Sequence, residues 1–176
     1  MGRSDAPPGA KSAPEEALLA ELFELYREVD DRLALATCPS STECCRFGRT
    51  RREPYVTSLE LLAVERARKR SSGPRQRPLP LHDPRSAKPS LPLFEVVADE
   101  GVCPMLGADG RCTVYAARPF GCRTFFCERA DVPVPLAHKD LLGFVRRIKE
   151  LALRHAPRGD EGRPLRNALG APKGRR

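Results

Sequence analysis

The sequence predicts an α+β domain, small and irregular, built from about three helices and a short β-hairpin. Three observations predict it. Apolar residues recur at helical spacing in three separated segments. A turn rich in glycine stands between two short apolar arms at 101–115. Long stretches of proline and glycine divide the rest of the 176 residues, so only about 110–120 residues remain to form one core.

The first helix is expected over Glu15–Ala36, where Leu18, Leu19, Leu22, Leu25, Tyr26, Val29 and Leu33 repeat on one face. Ser12 and Glu15 have capping-box spacing, with Pro14 in the first turn. A second helix is expected to start near Thr57, where Thr57 and Glu60 repeat that spacing. Leu59, Leu62, Val64 and Ala67 supply its apolar face, and Ser71, Ser72 and Gly73 end it. Residues 71–92 carry six prolines and read as a flexible excursion. Residues 93–97 (LFEVV) read as a short strand. The hairpin follows: VCPML, a turn at Gly107–Gly110, then RCTVY, with Asp109 and Gly110 tolerating positive φ. Arg118–Phe126 suits a short helical turn with Pro119 at its start. The last helix is expected over His138–His155, with Leu141, Leu142, Val145, Ile148, Leu151 and Ala152 on one face. Residues 1–14 and 156–176 are polar and rich in Pro and Gly, so both ends are expected to be disordered around one domain at 15–155.

The net charge is +8, unevenly spread. Residues 46–77 hold ten Arg/Lys against three Glu, and 156–176 hold six against two acids. A surface for nucleic acid is one reading. Against it, the basic residues are not interleaved with the aromatics on which a single-strand binder stacks bases, and the chain has no Trp. Basic loops that keep the domain in solution account for the charge more simply. The N-terminus has no apolar run of signal-peptide length, Gly2 lacks the Ser/Thr that myristoylation requires, and no stretch approaches a membrane span. The expected location is cytoplasmic, with no membrane partner.

Seven cysteines stand in two groups. Cys38, Cys44 and Cys45 form the first, in CPSSTECC. Cys103, Cys112, Cys122 and Cys127 form the second. Where thiols stay reduced, clustered cysteines bind metal more often than they cross-link, and an odd number leaves a disulfide framework incomplete. Burial as small hydrophobes explains one or two cysteines, not two crowded groups. No Cys-x-x-Cys occurs, which argues against a dithiol relay. Thiolates suit zinc, which takes four in a tetrahedron, and iron–sulfur clusters, which take four around a larger core. Cys103 and Cys112 flank the predicted turn, and Cys122 and Cys127 lie on one tight segment. Cys44 and Cys45 are adjacent, so both serve one ion only if the backbone bends between them. The expected fold therefore surrounds a cysteine-ligated metal site.

The run CPMLGADGRCTVYAARPFGCRTFFC resembles the second half of the YkgJ-like family, zinc- or iron-chelating proteins with a C-x-x-C-x-x-C-C motif. Cys103, Pro104, Leu106, Cys112, Tyr115, Arg118, Pro119, Cys122, Arg123 and Cys127 carry the match. In the first half Cys38, Cys44 and Cys45 fit, while Ser41 stands where the family has a cysteine. VTSLEL at 56–61 is also similar. The resemblance covers residues 38–127 and implies metal chelation by the matching cysteines, with zinc or an iron–sulfur cluster as the cofactor. It implies no common reaction. Ser41 leaves either a single centre, an open coordination position, or a substitute ligand from among Glu43, His82 and His138.

Arg118 and Arg123 flank Cys122 and either stabilise thiolate charge or cap carbonyls. Tyr115 is expected to pack at the end of the hairpin and donate its hydroxyl. Phe120, Phe125 and Phe126 are expected to wall the site from water. No nucleophile elbow, phosphate loop, dinucleotide fingerprint or H-E-x-x-H helix occurs, so no catalytic residue is nominated. The functional expectation is a metal-binding protein. A metal-dependent or redox enzyme is the first alternative, and a nucleic-acid-associated module with a structural metal is the second.

Overall fold

Leu18, Leu22, Leu25, Tyr26 and Val29 form a continuous stripe on the first helix, and burying that stripe organises the larger of two cores. The computed structural model describes residues 12–36, 43–71, 101–126 and 130–170. Helix α1 spans Ser12–Arg32, so residues 12–14, expected to be loose, are helical. Then come a one-turn 3₁₀ segment at Glu43–Cys45, α2 at Phe47–Thr50, strand β1 at Tyr55–Val56 and α3 at Ser58–Ser71. A second 3₁₀ turn at Tyr115–Ala117, α4 at Phe120–Arg123, α5 at His138–His155, β2 at Arg163–Pro164 and α6 at Leu165–Ala168 complete the order. The fold is mixed and helix-rich, with a small two-stranded antiparallel sheet.

Helix α3 is the shared wall. Leu59 and Ala63 join α1, Phe120 of α4, and Phe144, Ile148 and Leu151 of α5 in the first core. Leu61 and Val64 join Phe47, Val56, Cys103, Met105, Val114 and Leu165 in the second. The α3 start is held as its sequence predicts: Thr57 N–H donates to Glu60 Oε2 at 3.0 Å and Glu60 N–H donates to Thr57 Oγ1 at 3.3 Å. Helix α5 has the expected bounds. Its inward face includes Phe144, which the predicted stripe omitted, and leaves Leu142 exposed. Across the α1–α5 seam, Arg147 makes a two-pronged pair with Glu28 at 2.6 and 2.7 Å.

Two expectations are corrected. The arms of the 101–115 hairpin do not form strands. The turn closes through one bridge, Leu106 to Cys112, with Gly107 N–H donating to Arg111 O at 2.7 Å and Thr113 N–H to Met105 O at 2.9 Å. The first arm pairs instead with the first cysteine segment: Val102 bridges Arg46, and Cys103 N–H donates to Cys45 O at 2.8 Å. That partner lies more than fifty residues away, beyond the reach of a local turn signal. Gly101 permits the approach. Its φ is +54°, and a Cβ there would meet the Gly48 nitrogen at 3.1 Å.

The segment 156–170 is also part of the fold rather than a loose tail. Tyr55 pairs with Pro164 and Val56 with Arg163, making the sheet. Asp160 Oδ2 accepts from Ser58 N–H at 2.6 Å at the start of α3, and Ser58 Oγ lies 2.7 Å from His155 Nδ1. Leu165, 1 % exposed, plugs the second core. One apolar side chain and one helix-capping carboxylate anchor an otherwise polar segment. The strand expected at 93–97, most of the 71–92 excursion and residues 171–176 lie outside the described residues. Among the described residues no helix is long and apolar enough to cross a membrane.

Candidate functional site

Five of the seven cysteines are described, and all five line one cavity of about 680 Å³. They arrive from three directions. The 3₁₀ turn brings Cys44 and Cys45. The paired segment and turn after Gly101 bring Cys103 and Cys112. Helix α4 brings Cys122, whose N–H donates to Pro119 O at 2.9 Å in the first turn. Pro119 caps that turn with the fixed φ its ring imposes. Four of the five, Cys44, Cys45, Cys112 and Cys122, also border a second cavity of about 680 Å³. The two cysteine groups thus meet. Cys38 and Cys127 lie outside the described residues, as do Ser41 and His82. His138 begins α5, and Glu43 begins the 3₁₀ turn.

The bend between Cys44 and Cys45 is present. Within the 3₁₀ turn the two sulfurs stand 3.9 Å apart. Four sulfurs at about 2.3 Å from a tetrahedral zinc are separated by about 3.8 Å, so this spacing fits one edge of such a site. All five thiols are free. Among the described residues no three His, Cys, Asp or Glu side chains stand close enough together to hold an ion.

Electrostatics set the thiols apart. A hydrogen bond from Cys45 holds the Cys44 thiol down to about 6, with help from the Arg118 guanidinium against the cost of burial. The same bond pushes Cys45 up, reinforced by burial and by Cys44, Cys103 and Cys112. Burial pushes Cys103 up to about 11. It raises Cys112 too, where Arg118 acts in the opposite direction. Cys122 is raised first by burial and then by Cys103, Cys112 and Cys44.

The two arginines beside Cys122 divide the roles foreseen for them. Arg123, 4 % exposed, caps carbonyls: Nε donates to Arg118 O at 3.0 Å, Nη2 to Ala116 O, and Nη1 pairs with Asp30. Its guanidinium lies 4.2 Å from the centre of the Tyr26 ring. Arg118 faces the thiols. Among the described residues its Nε is buried without a hydrogen-bond partner. Tyr115 is 61 % exposed rather than packed, with the Arg118 guanidinium 4.2 Å from its ring centre. Phe120 is buried in the first core, Phe125 lines both cavities, and Phe126 is half-buried.

Behind α4 stands Glu60, 3 % exposed. Oε1 accepts from Phe120 N–H at 2.9 Å and from the Tyr26 hydroxyl at 3.1 Å, while Oε2 accepts from Thr57. Burial first, then the Glu60 charge, raises the Tyr26 phenol well above its usual range, so it stays a donor. Glu60 thereby ties α1, α3 and the helix of Cys122 together. The capping-box pattern revealed one of its two carboxylate oxygens. The other satisfies a distant backbone N–H, which carries no sequence signal. No family model, curated protein or solved structure matches this chain.

Proposed function

We propose that the chain is a thiolate metal-binding protein, holding zinc or an iron–sulfur centre in the manner its resemblance to the YkgJ-like family implies. The observation that carries this reading is the convergence of Cys44, Cys45, Cys103, Cys112 and Cys122 on one cavity wall from three segments. The donor set is soft and suits either group. The 3.9 Å spacing of Cys44 and Cys45 suits a pair of ligands on one ion. Cys38 and Cys127, at the edges of the same two segments, are the further donors by sequence. Arg118, beside the thiols, offsets the negative charge that several thiolates build up. When bound, the metal supplies a covalent cross-link between segments distant in the chain, in which binding free energy is folding free energy.

The test is anaerobic purification followed by visible spectroscopy and assays for zinc, iron and acid-labile sulfide. Colourless protein with about one zinc per chain identifies a chelated ion. Brown protein with equal iron and sulfide identifies a cluster. Protein devoid of both, which stays folded and takes up neither on reconstitution, refutes the proposal.

A further inference from the structure

The cavity beside the thiols is far larger than an ion requires. At about 680 Å³ it falls within the roughly 300–1,000 Å³ of small-molecule sites. Beyond the cysteines its wall is mainly apolar, with Phe47, Met105, Phe125 and Leu141 among the lining residues. Its charges do not balance. Glu53, the acid on this wall, is occupied: Arg166 donates to it from the backbone N–H at 2.7 Å and from Nε at 3.4 Å. Arg118 is poorly matched. Among the described residues its Nε has no hydrogen-bond partner, and its Nη2 reaches Asp30 only at 3.9 Å. Asp30 is engaged more closely by Arg123. The fork of Arg is shaped for a carboxylate, and with Arg51 and Arg52 on the same wall the arginines outnumber Glu53. Arg52 lines the same cavity, its guanidinium 5.3 Å from the Phe125 ring centre.

We propose that this cavity binds a small organic acid with an apolar body, its carboxylate held by Arg118 and its body against Phe125 and Leu141. The site sets arginines against a largely apolar chamber, the pattern of a pocket whose few polar groups orient its ligand. The acid shares Arg118 and the cavity wall with the thiols of the proposed centre, yet its binding needs no metal, so the two readings are tested separately.

The probe is 4-phenylbutyrate, titrated calorimetrically into the full chain of measured metal content. It is compared with 4-phenylbutanol, which lacks the charge, and with acetate, which lacks the body. Saturable binding of the acid is expected, with both analogues at least tenfold weaker. Arg118→Met should weaken the acid at least tenfold and Arg118→Lys less. Phe125→Ala, which leaves the charge in place, should weaken phenylbutyrate without changing acetate. Circular dichroism establishes that each variant is folded. Absence of saturable binding to the wild-type chain, equal binding of the alcohol, equally tight binding of inorganic phosphate, or unchanged affinity in folded Arg118→Met each overturns the proposal. Metal-free chain that binds the acid sustains this site while counting against the centre. Loaded chain that binds no acid does the reverse.

Discussion

The backbone N–H of Phe120 donates to the Glu60 carboxylate at 2.9 Å, joining the start of the helix that carries Cys122 to the middle of the core. Helix α4 is a single turn, too short to hold itself. Glu60 and the carbonyl-capping guanidinium of Arg123 supply what its own hydrogen bonds cannot.

Glu60→Gln tests that dependence. The amide retains one acceptor oxygen and presents an NH₂ group to N–H and O–H donors that all need acceptors. At least one buried donor is left unmatched, at a cost of about 1–3 kcal/mol. The urea midpoint should fall accordingly. The Cys122 thiol, freed with α4, should react faster with a disulfide reagent. An unchanged midpoint together with an unchanged thiol rate removes Glu60 from this role.

Leu165 gives an independent handle on the second core. It is 1 % exposed and packs with Phe47, Val56, Val64 and Met105. Leu165→Ala is expected to cost about 2–5 kcal/mol, the range for emptying a buried leucine site. Removing residues 161–176 should do at least as much, because it takes β2 away as well. Denaturant unfolding of both forms reads the outcome, and wild-type stability in either would detach the segment from the fold.

Legibility in the sequence followed the range of the interactions. Helices α1, α3 and α5 carry stripes that their own residues display, and the Thr57–Glu60 box announced the α3 start. The cysteines that meet were legible as a group because residue type alone marks them as soft donors. What stayed hidden depends on partners far along the chain. Two-residue strands such as Tyr55–Val56 have no periodicity, and their partner lies beyond residue 160. Val102 reads as a hairpin arm, yet it bridges Arg46 because Gly101 lets the two cysteine segments come into backbone contact. Leu165 sits amid polar neighbours, and only its place in the second core reveals it as an anchor.

Metal loading should release protons. At neutral pH Cys44, held down to about 6, is largely ionised, while Cys103 at about 11 and the raised Cys112 and Cys122 are not. Thiolates are the ligating form, so zinc affinity rises with pH. Calorimetric titration of metal-free chain in buffers of different ionisation enthalpy should report more than one proton released per zinc. The metal-free chain has its own signature. The folded Cys103 value lies above the ordinary 9.0, so its contribution to stability is complete below about 9 and is lost as pH rises through about 11. Cys44 works in the opposite sense, contributing above its ordinary value and losing that contribution as pH falls through about 6. Denaturation midpoints of metal-free chain should fall on both sides, and a profile flat from 6 to 11 contradicts both assignments.

Cysteine-to-serine substitutions discriminate a ligand from a packed thiol only where the site tolerates a hydroxyl. Cys103 does not serve. It is buried in the second core, and a hydroxyl there would weaken the fold whether or not the sulfur binds metal. Cys112 and Cys122 are better. Each is only partly buried, and the Leu106–Cys112 bridge and the first turn of α4 are held by backbone groups that serine keeps. Cys112→Ser and Cys122→Ser should lose bound metal, because a neutral hydroxyl is a poor substitute for a thiolate. They should also lower the thermal midpoint of metal-loaded chain while leaving that of metal-free chain nearly unchanged. This difference separates ligation from packing: a lost packing contact would weaken both forms alike. Ser41→Cys completes a C-x-x-C-x-x-C-C spacing and should raise metal content if the serine stands for a missing ligand. Full metal content in both serine variants would remove Cys112 and Cys122 from the centre, whatever else lines the cavity.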